Sequence, residues 1–281
     1  MPIAFEQVSF SYDGERDALE DIDLVVDDGE FLGVIGHTGS GKSTLVQLMN
    51  ALLVPTAGRV LVDGMDTRER KLRRKVRTTV GLAFQYPETQ LFANTVADDV
   101  AFGPHNLELS DDEVNRRVRA ALERVGMDYA EVAQRSPFDL SGGQQRRVAL
   151  AGILAMEPRV LVLDEPAAGM DPATVSEIRA YLRELNDQGL TIVLVSHSMD
   201  DVAELCSRII VLDHGTLHMQ GAPAELFTAQ NAAELRRINL GVPRATKFAL
   251  ELVERGLEMP DPILDERQLV EVLVALREKM G

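Results

Sequence analysis

The stretch GHTGSGKST, residues 36–44, has the residue types and spacing of a loop that binds polyphosphate. Its glycines allow the backbone to curl until several N–H groups face one phosphate chain, and a helix starting near Lys42 adds its positive dipole end. The Lys42 ammonium is expected to reach the β- and γ-phosphates, and the Ser43 hydroxyl to bind Mg²⁺. The apolar strand FLGVIG precedes the loop and the apolar helical repeat LVQLMNALL follows it, so a plain glycine turn explains this context poorly.

Two adjacent carboxylates end a second apolar stretch, VLVLDEP. A buried parallel strand would carry them to the sheet edge where the phosphate loop also lies. Asp164 suits the outer shell of Mg²⁺, whereas Glu165 can orient or deprotonate the water that attacks the γ-phosphate. An Asp-Glu pair after an apolar strand is often only a polar strand end. Beside a phosphate loop, the pair predicts nucleotide hydrolysis.

A third motif, LSGGQ at residues 140–144, stands immediately before a predicted helix. Val148, Ala151 and Ala155 fall on one stripe of that helix, which ends before a proline. Ser141 and the glycines therefore form a second helix start suited to an anion. The sequence predicts two phosphate-binding devices in one chain.

The order of these motifs resembles that of the ATP-binding-cassette ATPases, once Gln85, AAGMDP (167–172) and His197 are included. The resemblance covers about residues 1–230. It implies an α/β fold of the P-loop NTPase type, with a parallel-sheet core, an antiparallel N-terminal β part and a helical subdomain inserted at about residues 86–157. It also implies ATP hydrolysis with Mg²⁺, by two cassettes that face each other head to tail. ATP would lie between the phosphate loop of one cassette and the LSGGQ motif of the other.

The same resemblance implies roles for individual residues. Those with catalytic roles are Glu165, His197 and Gln85. Those that bind ATP are Tyr12, Gly36, His37, Thr38, Gly39, Ser40, Gly41, Lys42, Ser43, Thr44, Ser141, Gly142, Gly143, Gln144 and Asp171. Those that hold Mg²⁺ are Ser43, Gln85 and Asp164, the last through water. The signature residues and Asp171 would act on the nucleotide of the opposite cassette.

Two of these residues have simpler explanations. Tyr12 resembles the aromatic residue that stacks on adenine, but it could instead pack with Val8 and Phe10 on one face of a strand. An isolated histidine after the apolar strand TIVLVS is more often a hydrogen-bonded strand-end residue. The place of His197 after the AAGMDP motif favours contact with the γ-phosphate and with the water near Glu165.

Composition limits the other classes of function. The formal net charge of -16 argues against nucleic acid as the main partner, although it leaves room for a local basic patch. Cys206 is the single cysteine, so an intramolecular disulfide is excluded and a reducing compartment, the cytosol, is expected. No apolar run approaches the roughly 18 residues that would span a bilayer, and no signal pattern opens the chain. Membrane contact would then require another protein.

Details of the motifs narrow the resemblance to the ATPases of energy-coupling factor transporters. His37 and Thr38 within the phosphate loop, with SPFDLSGGQ and GPHNLELS, are most similar to the second of their two paralogous ATPase subunits. Met170 stands where leucine is usual, which is a mild departure.

The tail, residues 231–281, is consistent with that narrower match. RATKFALELVERG predicts a helix with Phe248 and Leu252 one turn apart, closed by Gly256, and ERQLVEVLVALREKM predicts another. About fifty residues cannot build a strong core alone, so their apolar faces should pack on the main domain or on a partner. The resemblance implies a C-terminal helical domain that pairs the ATPases, and a merely stabilising appendage remains the alternative.

The narrower resemblance implies an importer of vitamins or transition-metal ions. Its partners would be a paralogous ATPase subunit, with a homodimer still open, a transmembrane coupling subunit and a substrate-binding membrane subunit. The chain would be a peripheral protein at the cytoplasmic face of the cell membrane. The ATPase of another transporter class is the main alternative. Soluble cassette ATPases need a long coiled-coil insertion or tandem cassettes, and a non-enzymatic binding module would not need Glu165 and His197.

The stretch FQYPETQLF, residues 84–92, combines apolar and polar residues without helix or strand periodicity. In the resembling family, the loop after Gln85 lines a groove for coupling helices of the membrane subunit. Apolar contacts would come from Tyr86, Pro87, Leu91 and Phe92. Acidic contacts to basic residues of those helices would come from Glu88, Asp98 and Asp99. Packing of a hinge is the alternative explanation.

Overall fold

The computed structural model describes residues 2–280, without the side chains of residues 279 and 280. Its strands are β1 (Ile3–Ser11), β2 (Asp17–Val26), β3 (Phe31–Gly36), β4 (Ala57–Val62), β5 (Met65–Asp66), β6 (Val80–Ala83), β7 (Val160–Asp164), β8 (Thr191–Val195), β9 (Arg208–Asp213) and β10 (Thr216–Gly221). Its helices are α1 (Lys42–Met49), α2 (Arg73–Thr79), α3 (Val96–Asn106), α4 (Asp111–Arg124), α5 (Tyr129–Val132), α6 (Gly142–Leu154), α7 (Pro172–Asp187), α8 (Met199–Leu205), α9 (Pro223–Leu226), α10 (Ala229–Arg237), α11 (Arg244–Glu254) and α12 (Glu266–Met280).

The first sheet is antiparallel and has the strand order β2-β1-β4-β5. Alternate residues of β1 are buried, as its alternating sequence predicts. The alternation shifts at a bulge around Gln7, whose φ is 49°, so that Phe5 and Val8 both face the interior. Gly58 packs directly on the Gln7 carbonyl there, and a side chain at Gly58 would collide with it.

The central sheet has the order β10-β9-β3-β8-β7-β6. The four neighbouring pairs from β9 to β6 are parallel, and β10 is antiparallel to β9. β3 and β8 are buried along their whole length, which explains their continuous apolar sequences. Gly36 lies opposite Leu212, Asp164 opposite Val195, and Ala83 opposite Leu163. The residues that follow these strands therefore meet at one edge of the sheet.

The central sheet separates two hydrophobic cores. Leu161 and Leu163 of β7 point to the core that the helices cover, whereas Val160 and Val162 point to the core shared with the antiparallel sheet. This alternation places a buried apolar residue on both sides of the strand. The strand is consequently held on both faces, and the position of the carboxylates at its end is fixed.

A group of helices, α3 to α6, occupies the chain between β6 and β7. α4 is amphipathic and buries Val114, Val118 and Leu122 against its neighbours. Ser110 begins this helix by accepting a hydrogen bond from the Glu113 N–H. The helical stretch carries the LSGGQ motif at the start of α6, and its definition as a subdomain of residues 86–157 stays a prediction.

The tail contains the two predicted helices, α11 and α12. Ala245 and Ala249 of α11 pack on Ile263 in a small separate core. Arg244 joins this unit to the main part of the chain through a 2.7 Å ion pair with Asp200. Phe248, predicted to be part of an apolar stripe, is 46% exposed. The tail helices thus present an apolar outer face.

Truncation after Val242 is expected to leave the rest of the chain folded. The core around Ala245, Ala249 and Ile263 is separate, and the exposed Arg244–Asp200 pair contributes only about 0–1 kcal/mol to stability. Truncation also removes the packing of the partly buried Leu264 on the main core and the bond from the Ala229 N–H to Asp261. Thermal unfolding of the truncated protein should stay cooperative, with a Tm close to that of the full chain. A non-cooperative transition would show that the tail is an integral part of the main core.

Candidate functional site

The phosphate-loop sequence forms a tight turn between β3 and α1. Gly39 and Gly41 adopt φ angles of 84° and 104°, a conformation that favours glycine. A side chain on Gly41 would approach the Ala18 carbonyl to 2.7 Å, and one on Gly36 would collide with Ser40. The glycines are therefore required by backbone conformation and close packing, as the motif predicts.

Lys42 begins α1, and its side chain turns back over the loop. Its ammonium donates hydrogen bonds to the carbonyls of Gly36, at 2.6 Å, and His37, at 2.9 Å. Burial lowers the pKa of Lys42, and the nearby carboxylates of Glu165 and Asp164 partly oppose that effect. The loop thus holds a half-buried cation close to two carboxylates, that of Asp164 at the end of β7 and that of Glu165 directly after it.

Ser43 and Asp164, both predicted to hold Mg²⁺, lie together. The Ser43 hydroxyl donates to Asp164 Oδ2 at 3.3 Å, although 121 positions separate them in the sequence. Burial raises the pKa of Asp164, while the Ser43 hydrogen bond and the Lys42 charge lower it. A hydroxyl and a carboxylate are hard oxygen donors of the kind that Mg²⁺ prefers, so these residues fit the ion.

Glu165 and His197 form the second contact at this edge. His197 Nδ1 lies 2.7 Å from Glu165 Oε2, and because a carboxylate accepts, the ring nitrogen donates. Glu165 has a φ of 53°, and its N–H donates to the Val195 carbonyl at 2.9 Å. Burial raises the pKa of Glu165, with His197 acting in the opposite direction. The structure therefore joins the predicted base and the predicted histidine directly.

Gln85 lies in the exposed loop after β6. It comes two residues after Ala83, which pairs with Leu163 of β7. Gln85 therefore follows β6 at the edge where Asp164 ends β7. Its catalytic and metal-binding roles stay predictions.

The surroundings of Tyr12 are compatible with both of its predicted roles, stacking on adenine and packing on the face of a strand. Its ring is 65% exposed and meets the Phe10 ring edge-on, with 4.9 Å between centroids. Its hydroxyl lies 3.1 Å from the Thr44 hydroxyl, in the first turn of α1. The tyrosine thus leans on the phosphate loop with an exposed ring, and stacking on adenine stays a prediction.

The LSGGQ motif starts α6 with a reciprocal cap. The Ser141 hydroxyl accepts from the Gln144 N–H at 3.4 Å, and the Gln144 side chain accepts from the Ser141 N–H at 3.1 Å. Gly142 follows Ser141 as the first residue of the helix, and a side chain added to it would meet open space. The motif thereby presents an accessible helix start.

Asp171 caps α7 in a similar way. Its carboxylate accepts hydrogen bonds from the N–H groups of Ala173 and Thr174 and from the Thr174 hydroxyl. The Thr174 hydroxyl is the main reason why the pKa of Asp171 is lowered. Asp171 therefore has a local structural role, and its contact with an opposite site stays a prediction.

Arg146 is a buried member of the site that sequence reasoning missed. Its guanidinium forms two hydrogen bonds with the Glu88 carboxylate, at 2.9 and 3.0 Å. It also donates to the carbonyls of Pro166, at 3.0 Å, and Ala168, at 3.1 Å. One side chain, only 7% exposed, thus connects α6 with the loop after Gln85 and the segment after Glu165.

The bond to Arg146 corrects the prediction that Glu88 is available to a partner. Burial acts to raise the pKa of Glu88, but hydrogen bonding and the Arg146 charge prevail, so the pKa is lowered. Asp99 is engaged as well, since it accepts from the N–H groups of Phe92 and Ala93. Asp98 accepts from the Thr95 hydroxyl at 2.6 Å.

The structure also reduces the number of apolar residues that this loop can offer to a partner. Pro87 and Leu91 are buried, so they pack the loop itself. Tyr86 is exposed, and Phe92 meets Phe102 edge-on with 4.9 Å between ring centroids. The exposed aromatic residues here are Tyr86, Phe92 and Phe102, and the last two are in contact. We refer to these three residues together as the aromatic patch.

None of the helices among residues 2–280 is both long and apolar enough to cross a bilayer.

Comparisons with known proteins identify the family of this chain. A model of the ABC transporter family matches residues 19–168. A protein from Symbiobacterium thermophilum named energy-coupling factor transporter ATP-binding protein EcfA2 is 57% identical over 269 residues, which are 94% of this chain and 92% of that protein. A protein of the same name from Streptococcus thermophilus is 46% identical over 281 residues, which are 98% of this chain and 99% of that protein.

Two solved structures are similar to this chain in fold. The structure of cbiO1 from Clostridium perfringens, described as part of the ABC transporter complex cbiONQ, has a TM-score of 0.76 and 38% identity, covering 90% of this chain and 98% of that one. The ATP-binding cassette MJ0796, dimeric and bound to ADP and Pi in a post-hydrolysis state, has a TM-score of 0.68 and 29% identity, covering 78% of this chain and 98% of that one.

These similarities confirm the predicted α/β cassette fold. The matched family segment begins before the phosphate loop and ends after Glu165, so it includes Lys42, Ser43, Asp164 and Glu165, whereas His197 lies beyond it. The chain belongs to the ABC transporter family, as an ATP-binding subunit of the energy-coupling factor type.

Proposed function

We propose that this chain hydrolyses ATP to ADP and phosphate in order to drive import through membrane partner subunits. The observation that carries the proposal is the placement of Glu165, bonded to His197 at 2.7 Å, immediately after Asp164, bonded to Ser43 at 3.3 Å. A general base and a metal-binding pair therefore stand side by side at the loop that carries Lys42. Hydrolysis of a nucleoside triphosphate needs this combination.

Binding of ATP is assigned to the phosphate loop and Lys42. The curled backbone of residues 36–44 offers its N–H groups to the phosphates, and the Lys42 ammonium exchanges its two carbonyl partners for phosphate oxygens. The Tyr12 ring, exposed beside Thr44, supplies a face for adenine.

Mg²⁺ is assigned to Ser43, Gln85 and Asp164, with Asp164 acting through water. When bound, the ion neutralises charge on the β- and γ-phosphate oxygens. The 3.3 Å contact between Ser43 and Asp164 supports this assignment, because it joins two oxygen donors at the mouth of the loop.

The chemical step is assigned to Glu165 and His197. An oxygen of water forms a bond to the γ-phosphorus, the bond from that phosphorus to the bridging oxygen of ADP breaks, and Glu165 accepts the proton of the water. His197 holds the Glu165 carboxylate by its Nδ1–H bond. Burial raises the pKa of Glu165, which makes the carboxylate a stronger base than an exposed glutamate.

The ATP site is completed, in this proposal, by a second cassette. Ser141, Gly142, Gly143 and Gln144 would offer their helix start to the ATP of the partner, and Asp171 would contact the partner's site. The exposed, capped start of α6 supports this, because its N–H groups suit an anion. The partner is a paralogous ATPase or a second copy, and the tail of residues 231–281 would strengthen the pairing through its exposed apolar face.

Membrane coupling is assigned to the aromatic patch of Tyr86, Phe92 and Phe102. Exposed aromatic side chains are favoured at protein interfaces, and Tyr86 directly follows Gln85 in the chain. The partner would be a transmembrane coupling subunit, joined by a substrate-binding membrane subunit for vitamins or transition-metal ions. The chain would then act at the cytoplasmic face of the membrane as a peripheral subunit.

Replacement of Glu165 by Gln tests the proposed chemistry. Hydrolysis should fall by about 10²–10³-fold, because an amide keeps the shape of the side chain but cannot accept the proton. ATP affinity should be retained, since the phosphate loop and Lys42 are unchanged. Steady-state ATPase rates and ATP binding would be measured in a complex whose other ATP site is inactivated.

The control for this variant is Glu131→Gln, which alters an exposed glutamate on α5. That protein should hydrolyse ATP at the wild-type rate. Near-normal turnover by Glu165→Gln would contradict the role of Glu165 as the base.

Replacement of Arg146 by Lys tests the connection between α6, the loop after Gln85 and the segment after Glu165. The ammonium of lysine cannot form both hydrogen bonds to the Glu88 carboxylate and also reach the carbonyls of Pro166 and Ala168. Some of these buried oxygens would therefore lose their hydrogen-bond donor. Unfolding free energy should fall by about 1–3 kcal/mol. Hydrolysis should fall more than ATP affinity, because the changed side chain is not on the phosphate loop.

The matched control is Arg147→Lys, at the adjacent residue, which pairs with Glu177 at the surface. Denaturant unfolding, ATP binding and ATPase rates would be compared for the two variants. Equal effects of the two substitutions would show that the buried network at Arg146 has no special role.

A further inference from the structure

Two histidines and an aspartate meet where the phosphate loop touches the turn after β9. His37, Asp213 and His214 each place one possible ligand atom within 4.8 Å of the others. His37 Nε2 lies 3.1 Å from Asp213 Oδ1, and His214 Nε2 lies 3.8 Å from the same oxygen. The two imidazole rings are 4.7 Å apart between centroids. The cluster is separate from Ser43 and Asp164, the oxygen donors assigned to Mg²⁺.

The hydrogen bonds of His37 define which atom can bind a ligand. His37 Nδ1 lies 2.8 Å from the Thr38 carbonyl, which can only accept, so Nδ1 carries the hydrogen. In the neutral ring, Nε2 then has a lone pair that faces the Asp213 oxygen at 3.1 Å. Two acceptors cannot bond to each other, so the contact requires a proton or a cation. An imidazole that donates Nδ1–H to a backbone carbonyl is also the usual arrangement of a metal-binding histidine.

The backbone fixes the three positions. Gly36 pairs with Leu212, so the next residues, His37 and Asp213, leave adjacent parallel strands together. The turn behind them is tied to the phosphate loop, because the Gly215 N–H donates to the Ser40 carbonyl at 3.1 Å. The His214 side chain is 83% exposed and therefore has room to rotate toward Asp213.

The surrounding cavity, of about 340 Å³, is compatible with a cation. Arg237 also lines it, but its guanidinium is held by Glu234 at 2.7 Å. Glu234 thus compensates part of the positive charge of Arg237, and that guanidinium also attracts the Asp213 carboxylate. The carboxylate of Asp213 has two imidazoles beside it.

We propose that His37 Nε2, Asp213 Oδ1 and His214 Nε2 bind one divalent transition-metal ion of the zinc type. Two imidazole nitrogens and one carboxylate oxygen form a ligand set that suits Zn²⁺, and a water molecule can complete a tetrahedron. With bonds of about 2.0–2.1 Å, ligand atoms of such a tetrahedron lie about 3.3 Å apart. The 3.1 and 3.8 Å separations lie on either side of this value, and all three ligand atoms lie within 4.8 Å of one another, so a rotation of His214 would complete the arrangement.

Occupancy of this site would influence the phosphate loop. The His37 carbonyl accepts from the Lys42 ammonium, at 2.9 Å, and from the Ser40 N–H, at 3.1 Å. An ion that clamps the His37 ring to the β9 turn therefore restrains the same residue that positions Lys42. Any change that the ion causes in ATP affinity must be matched by an equal change that ATP causes in the affinity for the ion.

The test is a Zn²⁺ titration of the full chain without an affinity tag, in excess Mg²⁺. Wild-type protein should bind one Zn²⁺ per chain. His214→Asn and Asp213→Asn should each weaken that binding by at least about tenfold, through loss of a ligand. Asparagine is chosen at position 214 because the φ of 46° there is one that asparagine tolerates. Co²⁺ would be used as a spectroscopic substitute, and its visible bands should be lost in both variants.

The matched control is His105→Asn, which removes an exposed histidine outside the cluster. It should bind Zn²⁺ as the wild type does, and circular dichroism should show that all three variants are folded. The proposal is overturned if wild-type protein takes up no Zn²⁺ at about 100 µM, in which case a proton occupies the contact. It is also overturned if His214→Asn and Asp213→Asn bind the ion as tightly as the wild type.

Discussion

The parallel register of the central sheet is the constraint on which the rest of the site depends. Gly36, Ala83 and Asp164 each pair with a residue at the end of a neighbouring strand. The segments that follow these strands are distant in sequence, yet they must emerge at one edge. The contact between Ser43 and Asp164 and the contact between Glu165 and His197 are consequences of this register. Since each strand is buried on both faces, the edge is held rigidly.

Burial shifts the pKa values of the charged groups at this edge of the central sheet. It lowers the pKa of Lys42 and raises the pKa of Asp164 and Glu165. The two carboxylates limit the shift of Lys42, Ser43 and Lys42 limit that of Asp164, and His197 limits that of Glu165. Charges in partly buried surroundings act more strongly on a bound triphosphate than exposed charges would. Arg146 extends the arrangement beyond the sheet, because it links α6 to the segments after Gln85 and after Glu165. A movement of α6 would therefore shift the segment that follows Glu165, the proposed base.

Motifs with a strict backbone requirement could be predicted from the sequence. The phosphate loop, the strand before Asp164 and the helix after Ser141 depend on local residue types, and the fold and family inferred from them are confirmed. The burial and the long-range partners of individual polar side chains could not be predicted. Arg146 and Arg147 are adjacent and identical in type, yet only Arg146 is buried. The bond of Glu88 to Arg146 could not be predicted, because the two residues lie 58 positions apart and meet only through tertiary packing.

The most direct test of the account is a structure of the assembled transporter that carries Glu165→Gln, determined with Mg²⁺ and ATP. The account predicts that the γ-phosphate lies between Lys42 and His197, with Mg²⁺ at Ser43. The signature serine that contacts this ATP should belong to the opposite ATPase subunit, and Ser141 should contact the ATP of that partner. If each ATP is instead contacted by the phosphate loop and the signature motif of a single chain, the head-to-tail site is wrong. ATP bound away from Lys42 would contradict the account as a whole.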